Sequence, residues 1–259
     1  MKTWMFYVSS MVLIISMGVI IFQDRPMISP QLLSVSHEYA LISDQDDHID
    51  VSLYLNVEKH DMIDIDQHIS AYLSNPSGTK KMDIFLMDIQ EGKKEYYLDV
   101  LWTEWIFHYE LSIIGYDFMI EDLYLEITLE NGDQYEINLG KLYITDLNHS
   151  VDVLDWHRLS ASKAKQSLFS RIDQIEIGYH NLQQEIIDIS VGTGVSCDFL
   201  VHSNHISIIV PFDYYLLNRV PIIITFSDGS IQLISSFTFI IEHQILKESG
   251  MLVKTYALH

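Results

Sequence analysis

Apolar and polar residues alternate along most of the chain after residue 28, with the period of two that marks a half-buried β-strand. In 49–57 and in 122–130 every odd position is apolar and the even positions are mostly polar. The same pattern predicts further strands at 69–74, 82–89, 95–102, 105–113, 135–144, 173–179, 185–190, 196–201, 205–211, 221–226, 231–242 and 251–257. Since alanine is scarce, we expect no long helix among them.

Turn-forming sequences separate these segments. They are Asn75-Pro76-Ser77-Gly78, Glu91-Gly92, Asn131-Gly132 and Asp228-Gly229. Such residues favour hairpin turns because they tolerate positive φ or bond to their own backbone. The sequence therefore predicts an all-β fold outside the membrane.

Two of the hairpin sequences resemble each other. Ile127-Thr128-Leu129 precedes Asn131-Gly132, and Ile224-Thr225-Phe226 precedes Asp228-Gly229, so the displacement is 224 − 127 = 97 residues. This spacing is typical of one all-β domain. We therefore predict two tandem immunoglobulin-like β-sandwich domains.

The first domain is predicted at 29–150 and the second at 151–259. The boundary region, 146–171, is rich in Asp, Ser, Ala and Lys, which predicts a linker with one short helix.

The register of each hairpin follows from keeping apolar residues on one face. Around Asp228-Gly229 a two-residue turn pairs Phe226 with Ile231. In the other hairpin a three-residue loop, Asn131-Gly132-Asp133, pairs Leu129 with Tyr135.

Residues 4–22 form an uncharged, largely apolar run that is long enough to span most of a bilayer core. Lys2 precedes the run, whereas Asp24 and Arg25 cancel each other after it, which favours a cytoplasmic N-terminus. We predict a signal anchor or transmembrane helix within 1–28, and a single-pass protein of the cell membrane whose remaining residues are extracytoplasmic.

The small residues of this run permit two further interpretations. Ser16 and Gly18 suit cleavage of a signal peptide, although apolar residues continue to Phe22. If the helix is retained, Ser9, Ser10 and Gly18 permit close docking against another membrane helix. Both alternatives place the rest of the chain outside the cytoplasm.

Charge limits the partners of the protein. Its 15 Lys and Arg oppose 36 Asp and Glu, for a net charge of −21. Phosphate would be repelled, so nucleic acid is excluded as a ligand. Cys197 is the only cysteine, which rules out an intramolecular disulfide, and we expect it to be a buried small residue.

Lys and Arg are absent from 95–140, which is rich in carboxylates and, at 96–109, in aromatic residues. One interpretation is a solvated outer face. The other is a binding face for a protein or a cationic peptide. The candidate residues for the second interpretation are Glu104, Glu110, Asp122, Glu126, Glu130, Trp102 and Trp105.

A second acidic cluster contains Asp44, Asp46 and Asp50. Alternating oxygen ligands suit Ca²⁺, but the glycine and the closing glutamate of an EF-hand loop are missing. The alternative is a polar turn before the strand that starts at Ile49. We expect no other cofactor.

The sequence lacks the motifs of common catalytic sites, including the nucleophile elbow, the phosphate loop and the dinucleotide fingerprint. We therefore expect a non-enzymatic protein. Our first hypothesis is an accessory or binding subunit of a larger membrane complex of the transporter or secretion type. The alternative is a freestanding surface adhesin or ligand-binding module. One form of this hypothesis makes ligand binding dependent on Ca²⁺.

Overall fold

The structure, a computed structural model, describes residues 29–43, 47–112, 117–145, 150–163, 172–192, 195–211, 216–238 and 245–259. These residues form β-strands with one short α-helix and three 3₁₀ turns, so the all-β prediction is confirmed.

The elements of the first half are β1 (Gln31–Val35), β2 (His37–Ile42), β3 (His48–Leu55), two 3₁₀ turns (Asp61–Ile63 and Ile65–Gln67), β4 (His68–Ser74), β5 (Lys81–Tyr97), β6 (Val100–Leu111), β7 (Phe118–Leu129) and β8 (Gln134–Thr145). The second half contains β9 (Leu154–Lys163), β10 (Ile172–Leu182), β11 (Ile186–Val191), β12 (Val195–Ser196), β13 (Asp198–Val201), β14 (His205–Ile209), β15 (Leu216–Phe226), β16 (Ile231–Thr238), α1 (Ile245–Ser249), a 3₁₀ turn (Gly250–Leu252) and β17 (Val253–Ala257).

None of the helices in the described ranges is long and apolar enough to cross a membrane. The predicted membrane segment, 4–22, lies outside those ranges, and so do the predicted docking residues Ser9, Ser10 and Gly18. The membrane anchor therefore stays a prediction.

The strands of the first half pack in two layers around one core. β1, β3, β6 and β5 are neighbours in one layer, and β4, β7 and β8 are neighbours in the other. β5 belongs to both, because its first residues pair with β4 and the rest pairs with β6. Alternate residues of both layers point inward and form one hydrophobic cluster, which includes Val51, Phe107, Leu125 and Ile137.

The second half repeats this pairing order. β9, β10, β14 and β13 form a separate four-stranded sheet, and β12, β11, β15 and β16 pair in sequence. Their inner faces share a second cluster, with Ile175, Ile208, Ile189 and Ile224 among its members. β5 passes between the two layers of the first half, and the consecutive strands β12 and β13 do so in the second half. This arrangement is consistent with an immunoglobulin-like β-sandwich.

The two sets of strands are joined at β2. This strand pairs in parallel with β8 on one side and with β15 on the other. Gly140 of β8 lies opposite His37, with φ at +109°. A Cβ there would lie 2.1 Å from the His37 carbonyl oxygen, so only glycine permits this contact.

The C-terminal residues return to the first half. β17 pairs with β1, and α1 packs over the outer face of the β1–β3–β6–β5 layer. The Glu95 carboxylate accepts backbone N–H bonds from Leu246 and Lys247, at 3.3 and 3.1 Å. Leu246 is fully buried against Tyr54 and Trp102, so this segment covers part of a face that would otherwise be exposed.

Both hairpins have the same three-residue loop, and the predicted registers are wrong. Leu129 N–H donates to Asp133 and Phe226 N–H donates to Ser230. The third loop residue is a glycine with positive φ in each case, at +92° for Gly132 and +83° in the other, as a type I turn with a bulge requires.

Gln232 explains the error at the second hairpin. The pattern places it outside, but its side chain is 1% exposed and opposite Ile224. Its Oε1 accepts the N–H groups of Val153 and Leu154, at 2.9 and 2.5 Å, and its amide donates to the Leu154 carbonyl. A buried polar side chain, satisfied by backbone groups at the start of β9 and just before it, therefore faces inward on β16.

Within 146–171, the described residues 150–163 contain β9 where a linker was predicted. The domain boundaries at 29–150 and 151–259 stay a prediction.

Candidate binding groove and the acidic residues

A groove opens where β5 leaves β4 and joins β6. The pairing of β4 with β5 stops at Ala71 and Ile84, so the strands diverge beyond that pair. The space between them has a volume of about 310 Å³. Four large apolar side chains in and beside it are exposed to solvent, namely Ile65, Ile69, Phe85 and Met87.

The exposure of these residues is unusual for a strand pair. Ile69 is 64% exposed and Phe85 is 59% exposed. β5 is apolar at four consecutive positions, 84–87, so one of its faces supplies the core and the other presents Phe85 and Met87 to solvent. Contiguous exposed apolar residues of this kind mark interaction sites.

Polar groups of the same groove come from Ser70, Tyr72, Asp83 and His68. His68 Nε2 lies 2.7 Å from the Met62 carbonyl oxygen and donates to it. Nδ1 of the ring is then an acceptor, and it is buried without a partner among the described residues. Burial lowers the pKa of His68, so the ring is neutral at physiological pH.

Carboxylates lie on the β5 and β6 side of the groove. Glu110 is directly opposite Phe85 across β5 and β6, and both side chains are exposed on the outer face. Asp83 lines the groove and Asp88 is exposed beyond it. The groove therefore combines apolar contact area with negative charge, which suits a basic and apolar segment of a protein.

Two of the predicted partner-binding residues are buried. Trp102 and Glu104 lie on the outer face of β6, at 4% and 8% exposure, and Trp102 packs against Leu246 of α1. Trp102 Nε1 donates to the Tyr97 carbonyl at 3.2 Å, and Glu104 accepts a hydrogen bond from the Tyr54 hydroxyl at 3.2 Å. Burial and the neighbouring Glu104 raise the pKa of Tyr54, so the phenol stays protonated.

Trp105 lies on the opposite face of β6 from Trp102, half-buried against the first core. Its Nε1 is buried and has no hydrogen-bond partner in the described part of the chain. The two tryptophans thus share no surface.

The predicted acidic residues of β7 and its following loop lie in the other layer. Glu126 accepts hydrogen bonds from Ser74 and from Lys81, and these bonds, with Ser74 the larger cause, lower its pKa. Asp122 and Glu130 are exposed. Of the seven predicted residues, Glu110 and Glu126 are the cross-strand partners of groove-lining residues, Phe85 and Tyr72 respectively.

The predicted Ca²⁺ ligands are only partly described. Asp50 is on β3 and bonds to His108 Nδ1 at 2.7 Å, whereas Asp44 and Asp46 lie outside the described residues. Elsewhere in the described ranges, no group of three or more His, Cys, Asp or Glu side chains could hold a metal ion. Ca²⁺ binding stays a prediction.

Cys197 is buried between β12 and β13. Burial is the main cause that raises the pKa of its thiol to about 11. The thiol is therefore protonated at neutral pH and lacks the thiolate that a nucleophile or metal ligand needs.

Sequence reasoning missed the groove, although a signal was present. The run 84–87 breaks the alternation of 82–89 with four apolar residues in succession. In a strand with one solvated face, such a run places large side chains in water.

No protein family model matches the sequence, and no curated protein matches it. Among solved structures, the chain is similar to SGBP-B of the Bacteroides ovatus mixed-linkage glucan utilization locus, in complex with a mixed-linkage heptasaccharide. The identity is 14% and the TM-score 0.24, over 79% of this chain and 44% of that chain. It is also similar to the Salmonella enterica SafA pilin in complex with the SafB chaperone, at 8% identity and a TM-score of 0.22, over 83% of this chain and 99% of that chain. At this level of similarity neither structure indicates a function for the chain.

Proposed function

We propose that the protein is a non-enzymatic, membrane-anchored extracytoplasmic binding protein, and an accessory subunit of a larger membrane complex of the transporter or secretion type. Residues 4–22 supply the anchor, with Ser9, Ser10 and Gly18 available for helix contact. The ectodomain consists of two tandem immunoglobulin-like β-sandwiches.

The tandem arrangement is supported by the repeated strand order and by the equivalent hairpins. Leu129 and Phe226, which begin the two loops, are 97 positions apart. In each loop an Asn or Asp side chain, Asn131 or Asp228, accepts the N–H two residues on. Such agreement in backbone and side-chain detail favours duplication of one domain.

The observation that carries the binding function is the groove between β4 and β5. Phe85 and Ile69 are more than half exposed, and Glu110 and Asp83 add negative charge beside them. A partner segment with apolar and Lys or Arg side chains would cover the apolar area and neutralise the carboxylates. The protein's net charge of −21 attracts the same class of partner over longer range.

Co-purification tests this proposal. The full-length protein is solubilised from its native membrane in mild detergent, captured, and its associated proteins are quantified by mass spectrometry. We expect a polytopic membrane protein in stoichiometric amount. Phe85→Ser should reduce its recovery roughly tenfold or more, as expected when a central apolar anchor is lost.

Leu200→Ser is the matched control, since Leu200 is 58% exposed on β13 in the separate sheet. It should leave recovery unchanged, and both variants should keep the wild-type melting temperature because both side chains are exposed. Recovery of the chain alone would contradict the subunit proposal and favour the surface adhesin or ligand-binding module. Equal loss in both variants would contradict the groove as the binding site.

A further inference from the structure

The turn between β5 and β6 has an unusual backbone. Leu98 and Asp99 both have positive φ, at 50° and 61°. A two-residue hairpin turn of this kind normally has Asn or Gly, because other side chains are strained there. Leucine in this conformation is strained, and such strain recurs at functional sites.

The same turn exposes apolar side chains. Leu98 is 79% exposed and Tyr96 is 72% exposed. Leu101 pairs with Tyr96 across the hairpin and is 42% exposed. We call these three residues, Tyr96, Leu98 and Leu101, the hairpin tip. They form an apolar end to a hairpin in a strongly acidic protein.

The hairpin tip is at the end of the sheet where β1 begins. Gln31, the first residue of β1, donates its backbone N–H to the side chain of Asn56 at 2.7 Å. Asn56 directly follows the last residue of β3. That residue, Leu55, pairs with Thr103 near the start of β6, only a few residues from the tip.

The connecting chain limits how far the start of β1 can lie from the predicted membrane run. The segment between Phe22, the last residue of the predicted membrane run, and Gln31 spans at most about 30 Å when fully extended. The loop at the other end of β5, which contains Ser77, is about 50 Å from the tip along a strand of 17 residues.

We propose that the hairpin tip inserts into the membrane interface, in contact with zwitterionic lipid. This inference rests on the membrane anchor of the proposed function. Tyrosine is enriched at this depth because its ring is apolar and its hydroxyl is polar, and leucine adds apolar area that the lipid covers. The net charge of −21 and Asp99 disfavour anionic headgroups.

Site-specific fluorescence tests this contact in the full-length protein. The background is Cys197→Ala, which removes the only cysteine. Asp99→Cys keeps all three tip residues, and Ser77→Cys is the control at the opposite end of β5. Each is labelled with an environment-sensitive nitrobenzoxadiazole dye and reconstituted into phosphatidylcholine vesicles, and flotation of the vesicles reports anchoring separately.

We expect quenching by doxyl-labelled lipid and protection from iodide at position 99, and the reverse at position 77. Adding Tyr96→Ser and Leu98→Asn to the Asp99→Cys protein should remove the lipid quenching while flotation persists. Lipid quenching that survives these two changes would overturn the inference, because the dye and not the tip would then cause the contact.

The remaining outcomes separate the two proposals. A protein that floats but is equally open to iodide at both positions overturns the tip contact and leaves the anchor in place. Protection at position 99 from both quenchers indicates a protein cover, which also overturns contact with lipid. A protein that does not float contradicts the anchor of the proposed function and the tip contact with it.

Discussion

His68 lines the groove, and the protonation state of its ring also affects the stability of the fold. Its ring donates to the Met62 carbonyl and leaves Nδ1 buried without a partner in the described part of the chain. Protonation would place a charge in this half-buried site, and burial therefore lowers its pKa. An unfolded chain, with an ordinary histidine pKa, binds a proton more readily.

The sign of the pH dependence follows. Below the ordinary histidine pKa of about 6.5 the unfolded state binds more protons at this position, so the free energy of unfolding falls as the pH falls. We expect the melting temperature to drop less between pH 7.5 and pH 5.5 in His68→Gln than in the wild type. Equal drops in the wild type and His68→Gln would contradict this role.

Residue burial was only partly predictable from the sequence. The alternation of β3 and β7 correctly indicates their inward residues, for example Val51 and Leu125. It gives no indication that Trp102 is buried, because the cover is α1, more than 130 positions further along the chain. Local patterns report which face a residue is on, but not what lies over that face.

At the scale of elements, β2 is the strand that joins the two sets of strands. It pairs with β8 and with β15 in parallel. Its contact with β8 is close at Gly140, where a Cβ would meet the His37 backbone. Gly132 also has positive φ, but a Cβ there meets nothing within 4 Å. Alanine substitution at both glycines therefore separates the cost of the backbone contact at Gly140 from the cost of positive φ, which both positions share.

We expect Gly140→Ala to cost about 2–3 kcal/mol more than Gly132→Ala, as overpacking against a rigid backbone does. For a chain of this size this difference corresponds to about 5–10 °C in melting temperature. Scanning calorimetry of both variants measures it. Equal losses would show that β2 can shift away from β8 without cost, contrary to the structure.

Turn signals predicted the positions of some elements and not of others. Asn131-Gly132 and Asp228-Gly229 do form turns, at +92° and +83° for the two glycines. Glu91-Gly92 does not, since β5 passes through it to the turn at Leu98. A Cβ at Gly92 would lie 2.7 Å from the Glu104 carboxylate, so this glycine permits close packing and not a bend.

At the scale of the whole molecule, the sequence predicted the all-β class and the repeated hairpin, because both depend on local alternation and turn chemistry. It did not predict that β17 and α1 pack on the first set of strands, or that β2 joins both sets. These contacts join segments far apart in the chain. The groove belongs to the same category, since it requires β5 to change partners midway.

Photo-crosslinking at the groove tests the central claim most directly. Benzoylphenylalanine replaces Phe85 with a similar shape, and Leu200 in a control, in the full-length protein in its native membrane. We predict a crosslink from position 85, and not from position 200, to a basic segment of a polytopic membrane protein. Absence of a crosslink at position 85, or the same products from both positions, would contradict the account.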